Sequence, residues 1–159
     1  MRHVLPALLA CALLAAPAAA QETWSLALGR AVQVGAEGIA GDTFLTARRT
    51  GPASLPFGLA SDIAFGAGEA GTVFLSVGFA RSFDFGAARL DLRTGPALYH
   101  SGLPDAKGAE ALQFYSSAGV STPVGAARLG LQAAHISNAG LNEASSNTDI
   151  LSLTLSRGF

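Results

Sequence analysis

Along most of this chain hydrophobic residues recur at every second position, and after Gln21 no apolar run reaches the about 20 residues that a membrane helix needs. A period of two is the signature of a strand, because successive side chains leave it on opposite faces. In 72–85 the odd positions carry Val73, Leu75, Val77, Phe79, Phe83 and Phe85, interrupted by Arg81, while Ser76, Gly78, Ala80, Ser82 and Asp84 hold the even ones. Leu90 and Leu92 alternate with Arg89, Asp91 and Arg93. Leu112, Phe114, Ala118 and Val120 oppose Gln113, Tyr115 and Gly119, and Phe57, Leu59, Ile63 and Phe65 oppose Asp62. Each segment thus has one greasy face and one small or polar face. The pattern places strands near 23–35, 42–50, 56–67, 71–85, 87–98, 110–121, 126–138 and 149–159, with Arg30 and the Arg48-Arg49 pair disturbing the first two.

The connections at 50–54, 84–87 and 122–125 are short and rich in turn formers, whereas those at 99–109 and 139–148 are longer. Tight turns at one end, longer loops at the other and an even strand count describe an outer-membrane barrel with both termini facing the periplasm. The expected fold is therefore all-β: an eight-stranded antiparallel transmembrane β-barrel. Its final strand carries Leu151, Leu153, Leu155 and Phe159 at one parity, which resembles the targeting signature of bacterial outer-membrane barrels.

A soluble eight-stranded carrier would turn its apolar parity inward and its charges outward. Only 13% of the residues are charged, against about 25% in an average soluble domain, so the membrane form is favoured. In that form Asp62, Asp84, Arg89, Asp91, Arg93, Arg128 and Gln132 make an internal polar network among small Gly, Ala and Ser residues. Eight strands leave an interior just wide enough for side chains, which argues against a pore. A net charge of -1 offers no basic field for a phosphate backbone, so no nucleic acid is expected as a partner, and one cysteine builds neither a zinc cluster nor a disulfide.

Residues 1–20 read as an address: Arg2, an apolar run over 4–14, and Ala-Pro-Ala-Ala-Ala closing at Ala20. The expected organisation is a signal peptide at 1–20 followed by one outer-membrane barrel domain at 21–159. A lipoprotein box at Leu8-Leu9-Ala10-Cys11 is the weaker reading, because apolar sequence continues past Cys11 and a better small-residue site follows.

The segment that suggests chemistry is 126–138. His135 and Ser137 fall on its lipid-facing parity, roughly 6.5–7 Å apart along a strand, and the strand runs up to the outer rim. Extending the lipid-facing parity of the final strand upward reaches Asp149, opposite His135 if the hairpin centres near Asn142. A hydroxyl, an imidazole and a carboxylate are the parts of a serine hydrolase triad, with backbone N–H groups over 138–140 available to an oxyanion. Against this stands a plainer reading. Polar residues at a barrel rim meet headgroups and water, and His-x-Ser recurs by chance. His100 with Ser101 reads as a solvated loop pair.

His135-Ile136-Ser137-Asn138-Ala139-Gly140 resembles the H-x-S-N-A-G segment of the lipid A 3-O-deacylase (PagL) family, small outer-membrane barrels that remove the 3-linked acyl chain from lipid A. The resemblance implies that Ser137 is the nucleophile, His135 the base and Asp149 the acid, at a position where the family usually has glutamate. It implies an oxyanion hole from the backbone of Gly140 and an asparagine side chain at the position held here by Ser145, with Asn142 or Asn147 as substitutes and Asn138 in support. The expected function is removal of the 3-O-linked acyl chain from lipid A of lipopolysaccharide, with no cofactor and no metal. Lipid A of the outer leaflet and the outer membrane itself are the expected partners, with a homodimer compatible, and the secretory pathway is the expected route to the Gram-negative outer membrane. The alternative is a non-enzymatic small barrel, structural or adhesive, or an inactive family member. A His135 imidazole within about 3 Å of the Ser137 hydroxyl, with Asp149 on the other ring nitrogen, favours the enzyme; a His135 turned inward to the polar network favours the alternative.

Overall fold

The computed structural model describes residues 22–35, 38–102, 111–138 and 147–159. Eight strands, β1 (Thr23–Gly35), β2 (Gly38–Thr50), β3 (Ala60–Gly68), β4 (Val73–Phe85), β5 (Ala88–His100), β6 (Ala111–Val124), β7 (Ala127–Ser137) and β8 (Asn147–Gly158), form a closed barrel in chain order. Each neighbouring pair is antiparallel, and β1 closes the ring on β8 from Thr23↔Gly158 to Val34↔Asn147. Among the described residues no helix is long and apolar enough to cross a membrane. The barrel is the all-β fold expected from the alternation.

Three strand limits differ by three or more residues from the sequence reading. β2 begins at Gly38, not near 42, and pairs with β1 up to Gly35↔Gly38. Gly38, Ala40 and Gly41 show no parity, because parity is legible only where side chains are large. Phe57 and Leu59 lie outside β3: Pro56 opens a 3-10 turn, Pro56–Gly58, in which Phe57 takes φ 61 and stands 84% exposed. The β2–β3 connection is therefore longer than expected. β6 runs through Pro123 to Val124, leaving Gly125 and Ala126 as the turn. Gly125 (φ 62) and Gly86 (φ 64) each open a two-residue connection, where a tight hairpin between right-twisted strands needs a positive φ.

Apolar residues on the outer wall are left open: Leu26, Leu28, Leu45, Phe65, Val77, Leu131 and Leu153 are each more than half exposed. Such a surface suits hydrocarbon and not water. At the end where β1 begins and β8 finishes, called here the terminal end, the wall changes character. Trp24 pairs across to Arg49 and Arg157, Glu22 receives the Arg49 guanidinium at 2.8 and 2.9 Å, and Arg157 stacks on Phe159. The Arg49 hydrogen bond holds the Glu22 carboxyl below the usual carboxylate range. Aromatic and charged residues at this height form the girdle of a membrane barrel.

The interior is not filled by small residues alone. Towards the rim opposite the termini, Phe44, Phe74 and Tyr115 stack with ring centroids 5.8 and 5.4 Å apart, and Tyr99, Ile136 and Ile150 complete an apolar cluster. Small residues on the same parity make room for these rings. A Cβ on Gly66 would lie 2.2 Å from Phe74 Cε1 and 2.6 Å from Phe44 Cε1. Gly66→Ala is therefore expected to destabilise the barrel by about 1–3 kcal/mol, the usual penalty of overpacking, read as a lower urea midpoint in lipid vesicles.

The half nearer the termini is polar, and its centre is Arg48, one of the pair that breaks the alternation of β2. Arg48, 3% exposed, donates to Asp62 Oδ2 at 2.7 Å and to the Tyr115 hydroxyl. Thr50 donates to the other Asp62 oxygen at 2.8 Å, and Gln132 donates to the Tyr115 hydroxyl at 3.1 Å. Asp84 departs from the expected network: it is exposed and pairs with Arg89 beside the 86–87 turn. Between the network and the terminal end lies a polar cavity of about 190 Å³, lined in part by Arg89, Asp91, Arg93 and Arg128.

Candidate active site

β7 climbs towards the rim opposite the termini and β8 returns from it. The apolar cluster holds both from inside, through Ile136 and Ile150, 1% and 3% exposed, and the Tyr99 hydroxyl hydrogen-bonds Thr148 Oγ1 at 2.9 Å. Neighbours along a strand face opposite ways, so burying Ile136 turns His135 and Ser137 outward, and burying Thr148 and Ile150 turns Asp149 outward. Interior packing thus sets the side on which the polar residues emerge.

The register makes His135 and Asp149 direct partners. Cβ atoms of such partners lie about 4.5–5.5 Å apart, so the shorter aspartate side chain is long enough to meet the ring. His135 Nδ1 and Asp149 Oδ1 are 2.7 Å apart. In the tautomer with the proton on Nδ1, that N–H donates to the carboxylate and Nε2 keeps its lone pair. Both side chains are open to the surroundings, 43% and 63% exposed.

Ser137 lies on the same outward face, half-buried, one step nearer the rim. Among the described residues no hydrogen bond joins its hydroxyl to the imidazole. In sites without substrate such bonds are often long and tighten on binding. Asn138 takes the inward parity and is buried, 2% exposed, which suits a role in holding the end of β7. Gly140 and Ser145 lie outside the described residues, as does Asn142.

The register adds one neighbour, Ser116, and places a second, Asn147, beside Ser137. Ser116 on β6 is paired with His135 on the side away from Asp149 and is exposed on the same wall. Continuing the β7–β8 ladder one step beyond Ile136↔Thr148 sets Asn147 opposite Ser137, exposed and outward. Local sequence carries no sign of the first, since Ser116 lies 19 residues before His135 and meets it only through the β6–β7 hairpin. Below the site the wall is leucine: Leu151, Leu153 and Leu155 on β8, Leu129 and Leu131 on β7, and Leu26 and Leu28 on β1.

A closed eight-stranded barrel with an apolar outer wall and a charged, aromatic girdle is an outer-membrane β-barrel of the Gram-negative type. A family model described as lipid A 3-O-deacylase (PagL) matches residues 21–157, and the chain belongs to that family. Among solved structures, the crystal structure of the outer membrane enzyme PagL is similar, with a TM-score of 0.61 and 18% identity, over 86% of this chain and 99% of that one. The crystal structure of Neisserial surface protein A (NspA) is similar too, with a TM-score of 0.58 and 13% identity, over 87% of this chain and 97% of that one. Identities this low show the shared barrel alone. No curated protein matches the chain.

Proposed function

We propose that this protein is a serine esterase that removes the 3-O-linked acyl chain from lipid A in the outer leaflet. The observation that carries the reading is the 2.7 Å contact between His135 and Asp149, made on the outer wall directly above a leucine surface. Polar side chains on a lipid-facing surface are expensive, and a preoriented acid–base pair there has a substrate that arrives by lateral diffusion. Family membership supports the same chemistry.

In this reading His135 Nε2 takes the proton of Ser137 as its Oγ attacks the ester carbonyl, while Asp149 fixes the ring and stabilises the imidazolium. The Asn147 amide and backbone N–H groups over 138–140 receive the negative charge of the tetrahedral intermediate. Collapse expels the sugar hydroxyl, which takes its proton from His135, and leaves the acyl group on Ser137. Water then attacks this acyl-enzyme with His135 again as base, releasing the fatty acid and restoring Ser137. The leucines below the site receive the acyl chain. Export by the secretory pathway, with cleavage after Ala20, belongs to the same proposal.

The test is mass spectrometry of lipid A from cells that express the protein. Loss of one 3-linked acyl chain is expected, and unchanged lipid A in a host that presents that ester overturns the reading. Asp149→Asn is expected to lower the rate by roughly 10²-fold, less than the about 10⁴-fold known for a buried triad aspartate, because this carboxylate is largely exposed. The rate of acyl release in detergent micelles measures it.

A further inference from the structure

Arg30 lies on the outward parity of β1, between Leu28 and Val32, with Leu151 and Thr43 as its cross-strand partners. The step below it on three neighbouring strands is hydrocarbon surface: Leu45, Leu28 and Leu153. Among the described residues its guanidinium has no ion-pair or hydrogen-bond partner. The other described arginines are engaged: Arg48, Arg49, Arg89 and Arg93 with carboxylates, Arg128 with Ser121, and Arg81 and Arg157 over aromatic rings.

The direction of the arm is recorded by Gly41. A Cβ there would lie 3.1 Å from Arg30 Nη2 and 3.2 Å from Nε, so the side chain runs over a glycine on β2 and ends at that glycine's height. Gly41 pairs with Val32, Val32 with Asp149, and Asp149 with His135. The cation therefore ends in the same cross-strand row as the acid–base pair and on the same wall. Strands are spaced about 4.8 Å apart, which sets the guanidinium roughly 10 Å from Asp149 and 14 Å from His135 along the sheet.

We infer that Arg30 is an anion-binding subsite that takes a phosphate of the glycolipid headgroup whose ester lies at Ser137, an inference that rests on the esterase reading. An unpaired arginine at the hydrocarbon boundary meets its most favourable partner in a phosphate, which it can contact through two parallel N–H donors. Its separation from the site matches a phosphorylated disaccharide laid across the row, with its acyl chains descending over the leucines. The cation also offsets the repulsion between such a phosphate and Asp149. Arg30 is thus a positioning residue, acting on the headgroup and not on the reacting ester.

The experiment uses the protein in nanodiscs, in a Ser137→Ala background so that nothing turns over, with native mass spectrometry of bound lipid. Phosphorylated lipid A is expected to bind about tenfold more tightly than its dephosphorylated form. Arg30→Ala should erase that preference, and Arg30→Lys should keep part of it. Equal binding of the two forms, a preference that survives Arg30→Ala, or equal competition by phosphatidylglycerol overturns the subsite. Turnover with Ser137 intact separates the two readings: a phosphate preference without deacylation removes the esterase and leaves the subsite, whereas deacylation without a preference does the reverse.

Discussion

Ser137→Ala is expected to lower the rate of lipid A deacylation by at least roughly 10³-fold while leaving a folded barrel, because the nucleophile of a triad has no substitute once its oxygen is gone. The measurement is acyl release by the purified variant, with the heat-dependent shift in gel mobility as the check on folding. The companion variant is Ser116→Ala, since Ser116 faces His135 from the opposite neighbouring strand. Two arguments favour Ser137. Its strand ends there, with Asn138 outside the ladder, whereas Ser116 sits within paired strands where backbone N–H groups are already committed to carbonyls. Asn147 also stands beside Ser137 and not beside Ser116. Near-normal activity of Ser116→Ala together with loss in Ser137→Ala is the expected pair of results; the opposite pair moves the nucleophile to β6.

Arg48→Ala should destabilise the barrel by about 3 kcal/mol, near the low end of the 3–5 kcal/mol typical of removing one partner from a buried ion pair. The loss leaves the Asp62 carboxylate, 3% exposed, with Thr50 and a more distant Arg93 whose Nε stands 3.6 Å away. It also strips a donor from the Tyr115 hydroxyl, although Gln132 remains. Replacing both charges together, as Arg48→Met with Asp62→Leu, should be much milder, because no uncompensated charge stays buried. Urea unfolding from vesicles, followed by the fluorescence of the single Trp24, measures both variants. Equal losses in the single and the double variant would show that the pair contributes through packing and not through charge.

The two sites differ in how far they could be read from residues alone. The outward face of His135 and Ser137 followed from the alternation of β7, and the contact with Asp149 required only the length of one hairpin. Arg48 was harder to place. It follows Ala47 and precedes Arg49 in a strand whose small residues blur parity, so nothing local says which of two adjacent arginines enters the barrel. Its partners Asp62 and Tyr115 come from β3 and β6, the latter 67 residues away. Arg30 was conspicuous as a break in an apolar face, but its height relative to the site became visible only through Gly41 and the closure of β1 on β8.

Alternation by itself determined the fold class, since a two-residue period with an apolar parity and little charge has few stable solutions other than a closed barrel in lipid. It also determined which residues of β7 and β8 face outward. The tertiary structure alone decided what lies beside what around the ring: Ser116 and Asp149 flanking His135, Arg48 between Asp62 and Tyr115, and Arg30 ending in the row of the site. The physical reason is that the side of a strand is set by local backbone geometry, whereas contacts between strands depend on register. Register here is set by tight turns, by the closure of β1 on β8, and by large side chains from distant strands competing for one narrow interior.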